Sequence, residues 1–380
     1  MIYLDNAATT QTKPQAVADA IASALGSFGG PGRGSHGPAI EASMALFSAR
    51  DAMARLFGVG DQAGRVSLSM NATMALNIAI CGLLPDRGRA VTTAASHNSV
   101  LRPLFRARDE RGCTVEVARI EPTGALDWES YERALGNGAD LVVATHASNV
   151  TGEVYDVRRM AKMAHDVGAL FVLDAAQTAG AMPIDVGALA ADVVCFTGHK
   201  SLYGPQGTGG LYVRPGVEVA PLLEGGSGVR SFEERHPRVM PESLEAGTAN
   251  AHGAAGLAAG VEYVLAQDPA NVEARTRALA DRFERGLSAI AGAHVYGASA
   301  RRRTGVVAFN LGDADSGEVA SRLWADHDVC VRPGAHCAPL MHKALGTAEQ
   351  GIVRASFSGF TTQADLDAAL SAIRAVAESL

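Results

Sequence analysis

The chain has 380 residues, of which 47% are hydrophobic and 19% are charged, and its formal net charge is −7. This length predicts one large domain with a smaller one, and the negative charge argues against a general nucleic-acid surface. The run Arg301–Arg303 is interpreted as a solvated loop. We expect no secretory signal and no membrane span, because no basic segment leads into an apolar run and no apolar stretch is long enough. Five cysteines without regular spacing predict a reducing, cytoplasmic setting rather than a disulfide framework.

The first hundred residues predict two helices, at 14–25 and 39–57, joined by the Gly-rich segment 27–37. That segment lacks the GxxxxGK[ST] pattern of a phosphate loop, so we interpret it as a flexible connection from which His36 could still reach a site. The apolar run at 65–70 predicts a strand that leads into a helix from about Ala72. A further strand is predicted at AVTTAA, just before His97.

The centre of the chain alternates apolar strands with helical stretches. Strands are predicted at 140–146, 169–176 and 192–197, and a helix at 154–168. Continuous apolar strands separated by helices are typical of a mostly parallel sheet that is covered on both faces. The predicted fold class is therefore α/β, with a ligand site at the carboxyl ends of the strands.

The last third predicts an α+β unit. Its predicted elements are a helix at 271–290, a strand at 305–311, a helix at 316–327, strands at 329–333 and 352–357, and a final helix from Thr362 with Asp365 as its capping-box partner. We expect a large domain over 13–258. The small domain would comprise 1–12 and 259–380.

Polar side chains follow three of the central strands at the point where each strand ends. Asn149 follows the first, Asp174 and Gln177 the second, and His199 and Lys200 the third. Because parallel strands end at the same edge of a sheet, we expect these residues to converge. Taken alone, Asp174 is typical of a helix cap and Lys200 is typical of a solvated surface lysine. These two interpretations do not explain why both residues stand at the ends of successive strands.

A buried lysine has a lowered pKa and can bond an aldehyde, and a buried aspartate needs a cationic partner. Pyridoxal phosphate (PLP) requires both, since its aldehyde binds a lysine and its ring nitrogen is held protonated by an acid. The predicted helix start at Asn71–Thr73 offers N–H donors to a phosphate. His97, after another strand, could stack on the ring.

The chain resembles the class V aminotransferase-type PLP enzymes of fold type I, and within them the cysteine desulfurases and selenocysteine lyases. The resemblance runs nearly end to end through the segments YLDNAATTQTKP (3–14), NAT, SHNS, SNVTG, LDAAQ, TGHKSLYGPQGTGG, EAGTAN, RPGAHCAPL and VRAS. It implies a large PLP-binding domain and a small domain that carries a catalytic cysteine.

The resemblance also implies roles for individual residues. Lys200 would bind the PLP aldehyde, and Thr248 would reach the cofactor of the neighbouring subunit in a homodimer. Cofactor-binding residues would be Ala72, Thr73, His97, Asn149, Asp174, Gln177, Thr197, His199, Lys200 and Thr248. Substrate-binding residues would be Ala7, His36, Asn149, Arg332 and Arg354, with Arg354 clamping the substrate carboxylate. Catalytic residues would be His97, Lys200 and Cys337.

Cys337 would be the nucleophile that removes sulfur from L-cysteine, leaving L-alanine and a persulfide for an acceptor protein or thiol. His336 and Arg332 are candidates to stabilise its thiolate, on a turn that prolines predict to be mobile. The chain departs from many relatives at Ala335, where a histidine is common, at Met74, where glutamate is frequent, and in the longer interval between Cys337 and the VRAS segment.

Other functions stay open at this point. A selenocysteine lyase, an aminotransferase and a C–S lyase would use the same PLP residues, although an aminotransferase has no use for Cys337. An inactive scaffold would not need Lys200 and Asp174. Cys81 and Cys195 are interpreted as core residues. A zinc site that includes Cys330 lacks the usual C-x-x-C spacing, and no metal is expected.

Overall fold

The computed structural model describes residues 1–32, 34–297, 300 and 302–380. Its strands are β1 (Ile2–Tyr3), β2 (Val66–Ser69), β3 (Arg89–Thr93), β4 (Thr114–Ala118), β5 (Leu141–Thr145), β6 (Leu170–Asp174), β7 (Val193–Thr197), β8 (Gly209–Val213), β9 (Ala293–Tyr296), β10 (Val306–Leu311), β11 (Val329–Cys330) and β12 (Val353–Ser356). Its α-helices are α1 (Gln15–Ser27), α2 (Gly37–Leu56), α3 (Ala72–Leu83), α4 (Asn98–Arg111), α5 (Trp128–Leu135), α6 (Val157–Asp166), α7 (Val186–Leu189), α8 (Ala251–Gln267), α9 (Pro269–Ser288), α10 (Ser316–His327), α11 (Pro339–Leu345) and α12 (Gln363–Ser379). No helix in the described ranges is both long and apolar enough to cross a bilayer.

A seven-stranded sheet in the order β2-β8-β7-β6-β5-β3-β4 forms the centre of the larger unit. β8 runs antiparallel to its neighbours β2 and β7, and the other adjacent pairs are parallel. The prediction of a mostly parallel sheet is confirmed. The reversal of β8 follows from its connection, because residues 198–208 contain no helix that could carry the chain back for a parallel crossover.

Both faces of this sheet are buried, as the continuous apolar strands predict. Val172 of β6 packs in a cluster with residues of α3 and α4, including Leu76 and Leu104. The next residue, Leu173, packs in the cluster on the opposite face, which includes residues of α2, α6 and α8. This alternation follows the two-residue period of a strand. It therefore determines on which face of the sheet each side chain at the end of a strand lies.

The smaller unit contains the antiparallel sheet β12-β10-β9 and the parallel pair β1-β11. Residues of α9, α10 and α12 bury this sheet in a core of their own. Helix α8 runs unbroken to Gln267 and packs on α1 and α2, so a boundary at 258 would cut a helix of the larger unit. We propose Asp268, between α8 and α9, as the division instead, with the N-terminal strand belonging to the smaller unit.

Local capping explains where several elements begin. Thr362 and Asp365 form the predicted capping box at the start of α12, with hydrogen bonds in both directions. The helix predicted at 154–168 begins only at Val157, because the Asp156 side chain caps it by accepting from the Arg159 N–H at 3.0 Å. The strand predicted at 329–333 is shorter than expected and comprises only β11.

The interpretation of the arginine run as solvated is wrong for Arg303. Its side chain is only 5% exposed and forms an ion pair with Glu284 of α9. Arg302 is exposed and pairs with Glu273 on the same helix. The side chain of Arg303 can be buried because Glu284 supplies the acidic partner that a buried guanidinium requires. Arg301 lies outside the described residues.

Candidate active site

Three neighbouring strands end in polar residues on the same face of the sheet. Thr145 is paired in register with Asp174, and Asp174 with Cys195, two residues before Thr197. The two-residue alternation therefore points the side chains of Thr145, Asp174 and Thr197 toward the face covered by α3 and α4. These three residues line a cavity of about 210 Å³, together with Lys200 from the turn after β7.

Most of the residues predicted from the sequence meet in this cavity. Its lining includes Ala7, Ala72, Thr73, His97, Asn149, Asp174, Gln177, Thr197, His199, Lys200, Arg332, Cys337 and Arg354. His36 does not line the cavity. It directly precedes the first residue of α2, and its side chain is exposed there. Thr248 also lies elsewhere and lines a separate cavity of about 730 Å³.

Burial shifts the two ionisable groups of the cavity floor toward their neutral forms. Burial lowers the pKa of Lys200 to about 8, although the carboxylate of Asp174 opposes this shift. Burial raises the pKa of Asp174, which is opposed by a hydrogen bond from the Ala176 N–H at 3.0 Å and by Lys200. A lysine with such a pKa is partly unprotonated near neutral pH and is suited to act as a nucleophile or a base.

Several buried polar atoms in the cavity wall have no hydrogen-bond partner within the described chain. They are Thr145 Oγ1, Asn149 Oδ1, Thr197 Oγ1, His199 Nδ1, His336 Nδ1 and Arg354 Nε. Leaving such groups unpaired costs about 1–3 kcal/mol each, so their concentration at one place indicates a polar ligand.

Helix α3 begins at the same cavity and favours an anion. The Asn71 side chain accepts from the Met74 N–H at 2.9 Å and thereby caps the helix. The N–H groups of Ala72 and Thr73, in the first turn, have no partner inside the helix. With the adjacent Thr197 hydroxyl and His199 ring nitrogen, they form a site suited to a phosphate.

Arg354 is held rigidly in the cavity wall. Its side chain is 2% exposed, and its Nη2 donates to Asp5 Oδ1 at 2.9 Å while its Nη1 donates to the Asn149 carbonyl at 2.9 Å. These bonds orient the planar guanidinium and leave its buried Nε unpaired. A fixed guanidinium of this kind matches a carboxylate ligand.

The N-terminal segment binds the carbonyl of His199, the residue before Lys200, and the sequence did not indicate this contact. The carbonyl of His199 accepts from Thr9 Oγ1 and Thr10 N at 3.1 Å each, and from Lys13 Nζ at 3.2 Å. Burial lowers the pKa of Lys13 to about 8. This segment therefore ties the backbone that carries Lys200 to the smaller unit.

Cys337 is exposed on a turn that hydrogen bonds hold on both sides. Its carbonyl accepts from the Asn98 N–H at 2.7 Å, and the carbonyl of His336 accepts from Asn149 Nδ2 at 2.7 Å. Both residues are left-handed, with φ of 49° at His336 and 55° at Cys337. Such geometry costs about 1–2 kcal/mol per residue and is typical of functional sites. These bonds hold the turn in place and do not favour the mobility that its prolines predict.

His336 differs from its expected role beside the thiol. Burial lowers its pKa to about 3, and its Nε2 donates to the Arg332 carbonyl at 3.2 Å. It is therefore neutral near pH 7 and supplies no positive charge to a thiolate. The arginines that line the cavity, Arg332 and Arg354, carry its positive charge instead. No three potential metal ligands come together in the described parts of the chain.

Two further contributors to the site were missed at the sequence level. Asp5, which orients Arg354, is 349 residues away from it, and nothing in the sequence links them. Ser99 lines the cavity and contacts His97. Its position two residues after His97, at a predicted helix start, is a signal that could have identified it.

Comparisons with known proteins agree with this geometry. The family model described as aminotransferase class-V matches residues 2–369. The chain is 34% identical over 372 residues to a probable cysteine desulfurase of Methanothermobacter thermautotrophicus, covering 96% of this chain and 92% of that protein. It is 32% identical over 387 residues to a cysteine desulfurase of Haloferax volcanii, covering 100% and 90%. The apo cysteine desulfurase of Thermococcus onnurineus NA1 has a similar structure, with a TM-score of 0.92, 32% identity and coverage of 100% and 95%.

Cys337 should be the first cysteine to react with iodoacetamide in the folded protein. It is exposed, whereas Cys113 and Cys195 are buried, and we expect it to react at least ~100-fold faster than Cys195. Peptide mass spectrometry after timed alkylation measures each rate. The variant Cys337→Ser is the control, and equal labelling of Cys195 before unfolding would contradict the described burial.

Proposed function

The chain belongs to the class-V aminotransferase family, and on this basis we propose that it is a PLP-dependent cysteine desulfurase acting on L-cysteine. The observation that carries the proposal is the exposed thiol of Cys337 in the wall of the cavity that also holds Lys200 and Asp174. An amino-group transfer needs only the lysine and the aspartate. A thiol placed on a strained turn at the same site is explained by sulfur transfer.

The unpaired polar atoms of the cavity fit PLP. Its phosphate would be held by Ala72, Thr73, Thr197 and His199, its ring nitrogen by Asp174, its ring oxygen by Gln177, its aldehyde by Lys200 and its ring face by His97. Gln177 Nε2 donates one hydrogen to the Ala7 carbonyl at 3.1 Å, which leaves its second hydrogen for the ligand. When bound, PLP draws electrons from the Cα of the amino acid and so makes its Cα proton acidic.

The protein residues then divide the remaining work. Arg354 binds the substrate carboxylate, and Asn149 and Arg332 flank it. Lys200, with its pKa of about 8, is the base that accepts the Cα proton. The thiolate of Cys337 forms an S–S bond to the substrate sulfur as the C–S bond breaks and its electron pair stays on carbon. Protonation of that carbon yields alanine, and an acceptor protein or thiol takes the sulfur from Cys337.

We also propose that the protein acts as a homodimer in a reducing, cytoplasmic compartment. Ile40, Met44 and Phe47 are each more than half exposed and lie on one face of α2, a spacing of four and three residues. Such a row of exposed apolar side chains favours an interface between subunits. A partner chain on this face could bring its Thr248 toward the cavity, where that residue is otherwise absent.

The variant Phe47→Glu should shift the protein from dimer to monomer, because the new charge would be desolvated at the interface. Analytical ultracentrifugation over a range of concentrations measures the dissociation constant, which we expect to rise at least ~10-fold. The control Ala375→Glu adds the same charge at an exposed position of α12, away from this face of α2. A protein that is monomeric without any substitution would refute the dimer.

Product identification separates desulfuration from the other reactions of this fold. Purified protein incubated with PLP, L-cysteine and a thiol reductant should release alanine and sulfide in equal amounts. Pyruvate with ammonia would instead indicate a C–S lyase, and a keto acid an aminotransferase. Either of these products in place of alanine would overturn the proposed function. Mass spectrometry of the small molecules measures all of them.

The variant Cys337→Ala should keep the PLP absorbance and lose sulfide release from L-cysteine by at least ~1,000-fold, because the attacking thiolate is missing. Full activity of the variant would remove Cys337 from the mechanism. L-Selenocysteine serves as the companion substrate. If the variant still releases selenide, the weaker C–Se bond does not require the thiol, and comparison of kcat/KM for both substrates in the unaltered protein decides its preference.

The pKa of about 8 at Lys200 predicts how PLP binding depends on pH. Covalent binding to cofactor-free protein needs the unprotonated amine, so its rate should rise ~10-fold per pH unit below pH 8 and level off above it. Stopped-flow absorbance between pH 6.5 and 9.5 measures this rate. Lys162→Met is the control, since it removes an exposed lysine of α6 and should not affect the profile. A midpoint above pH 10 would contradict the described burial of Lys200.

A further inference from the structure

His97 is the first position outside α4, and its side chain caps that helix. The Nδ1 atom of His97 accepts a hydrogen bond from the backbone N–H of Ser99 at 3.0 Å. A backbone N–H can only donate, so this nitrogen must carry a lone pair and no proton. The tautomer of His97 is therefore determined by backbone geometry, and its proton is on Nε2.

The hydroxyl of Ser99 reinforces this arrangement. Its oxygen lies 2.7 Å from Nδ1 of His97, and since that nitrogen is an acceptor, the hydroxyl must be the donor. Two donors from one residue thus share a single lone pair. Ser99 is itself buried and also lines the cavity, so its hydroxyl is held beside the imidazole.

We propose that Ser99 is a positioning residue that holds His97 as a neutral imidazole whose Nε2–H faces the cavity. Protonation of Nδ1 would break the hydrogen bond from the Ser99 N–H, would require the Ser99 hydroxyl to turn from donor to acceptor, and would place a cation at the positive end of a helix. A neutral imidazole at a helix N-terminus can donate a hydrogen bond without first being protonated to the imidazolium cation. The consequence for catalysis rests on the proposed function, but the state of His97 does not.

The surroundings of His97 oppose its protonation from every side. Burial, together with the smaller effects of the charges of Lys200, Arg332, Arg102 and Arg354, lowers its pKa to about 4. Other titratable groups that line the cavity are Asp174, His199, His336 and Cys337. Burial also lowers the pKa of His199 to about 4 and that of His336 to about 3, so neither adds a positive charge near pH 7.

This state of His97 assigns the proton transfers to other groups. A ring with Nε2–H toward the cavity has no lone pair there and cannot accept the Cα proton of a substrate. That task falls to Lys200, whose pKa lies nearer the working pH. His97 would instead stack on the ring and donate one hydrogen bond from a fixed direction.

NMR of protein labelled with ¹⁵N-histidine tests the proposal directly. Long-range ¹H–¹⁵N spectra distinguish protonated from unprotonated ring nitrogens, and His97→Gln identifies the His97 signals. In the full-length protein, with and without PLP, Nδ1 should be unprotonated and Nε2 protonated from pH 8.5 to pH 5.5. A proton on Nδ1, or titration near pH 6.5, would overturn the proposal.

Ser99→Ala tests the hydroxyl separately from the backbone. The Nδ1 signal at pH 7.5 should move toward that of a nitrogen without hydrogen bonds, and the pKa of His97 should rise by ~1 unit. The kcat should fall about fivefold, and Ser99→Thr, which restores a hydroxyl, should recover both readouts. Unchanged signals in Ser99→Ala would overturn the role of the hydroxyl even if kcat falls.

A matched control removes a neighbouring hydroxyl that does not contact His97. Ser96 is fully buried, one residue before His97, and its Oγ lies 2.9 Å from Thr92 Oγ1. Ser96→Ala should leave the His97 signals unchanged, and a change as large as that of Ser99→Ala would overturn the specific assignment. The spectra can be recorded without turnover, so they test Ser99 independently of the reaction. If the expected tautomer is observed but no alanine forms, the proposed function is refuted and the role of Ser99 is supported.

Discussion

The structure depends on the burial of a lysine and an aspartate at the carboxyl ends of neighbouring parallel strands. Lys200 and Asp174 are each shifted toward neutrality by the same low-polarity surroundings, and each partly compensates the other. Such an arrangement is unfavourable for folding and is tolerated because the sheet on both sides is a closely packed apolar core. A ligand that is anionic at one end and accepts a lysine at the other relieves this cost. The same burial therefore explains both the shifted pKa values of Lys200 and Asp174 and the chemistry to which they are suited.

The two structural units meet in the site through a small number of polar contacts. Arg354 comes from β12 of the smaller unit, yet its orientation is decided by Asp5 and by the carbonyl of Asn149 after β5. The N-terminal segment continues from Asp5 to the carbonyl of His199, which it binds through Thr9 and Thr10. The guanidinium of Arg354 and the backbone next to Lys200 are thus held by one continuous segment. The distance between these two residues therefore depends on hydrogen bonds made by the N-terminal segment.

The histidines near the site act as neutral groups. His97 is half-buried and His336 is buried, both near Arg332 and Arg354, and each has one ring nitrogen whose role is determined by a backbone partner. Positive charge near them comes from the side chains of Arg332 and Arg354. The turn at Cys337 is ordered by Asn98 and Asn149, which bind the carbonyls on either side of the Cys337 Cα.

The sequence by itself determined the mostly parallel sheet and the positions of its strand ends, and it indicated Asp174 and Lys200 as candidate site residues, because apolar runs followed by polar residues mark them. Cys337 lies on a turn and was indicated by the family resemblance of its segment. The sequence also determined the start of α12, where Thr362 and Asp365 are three residues apart. Only the tertiary structure decided the reversal of β8, the pairing of Arg354 with Asp5, the burial of Arg303 and the exclusion of His36 from the cavity. These features depend on contacts between distant segments and on the direction of single side chains, and neither follows from the periodicity of neighbouring residues.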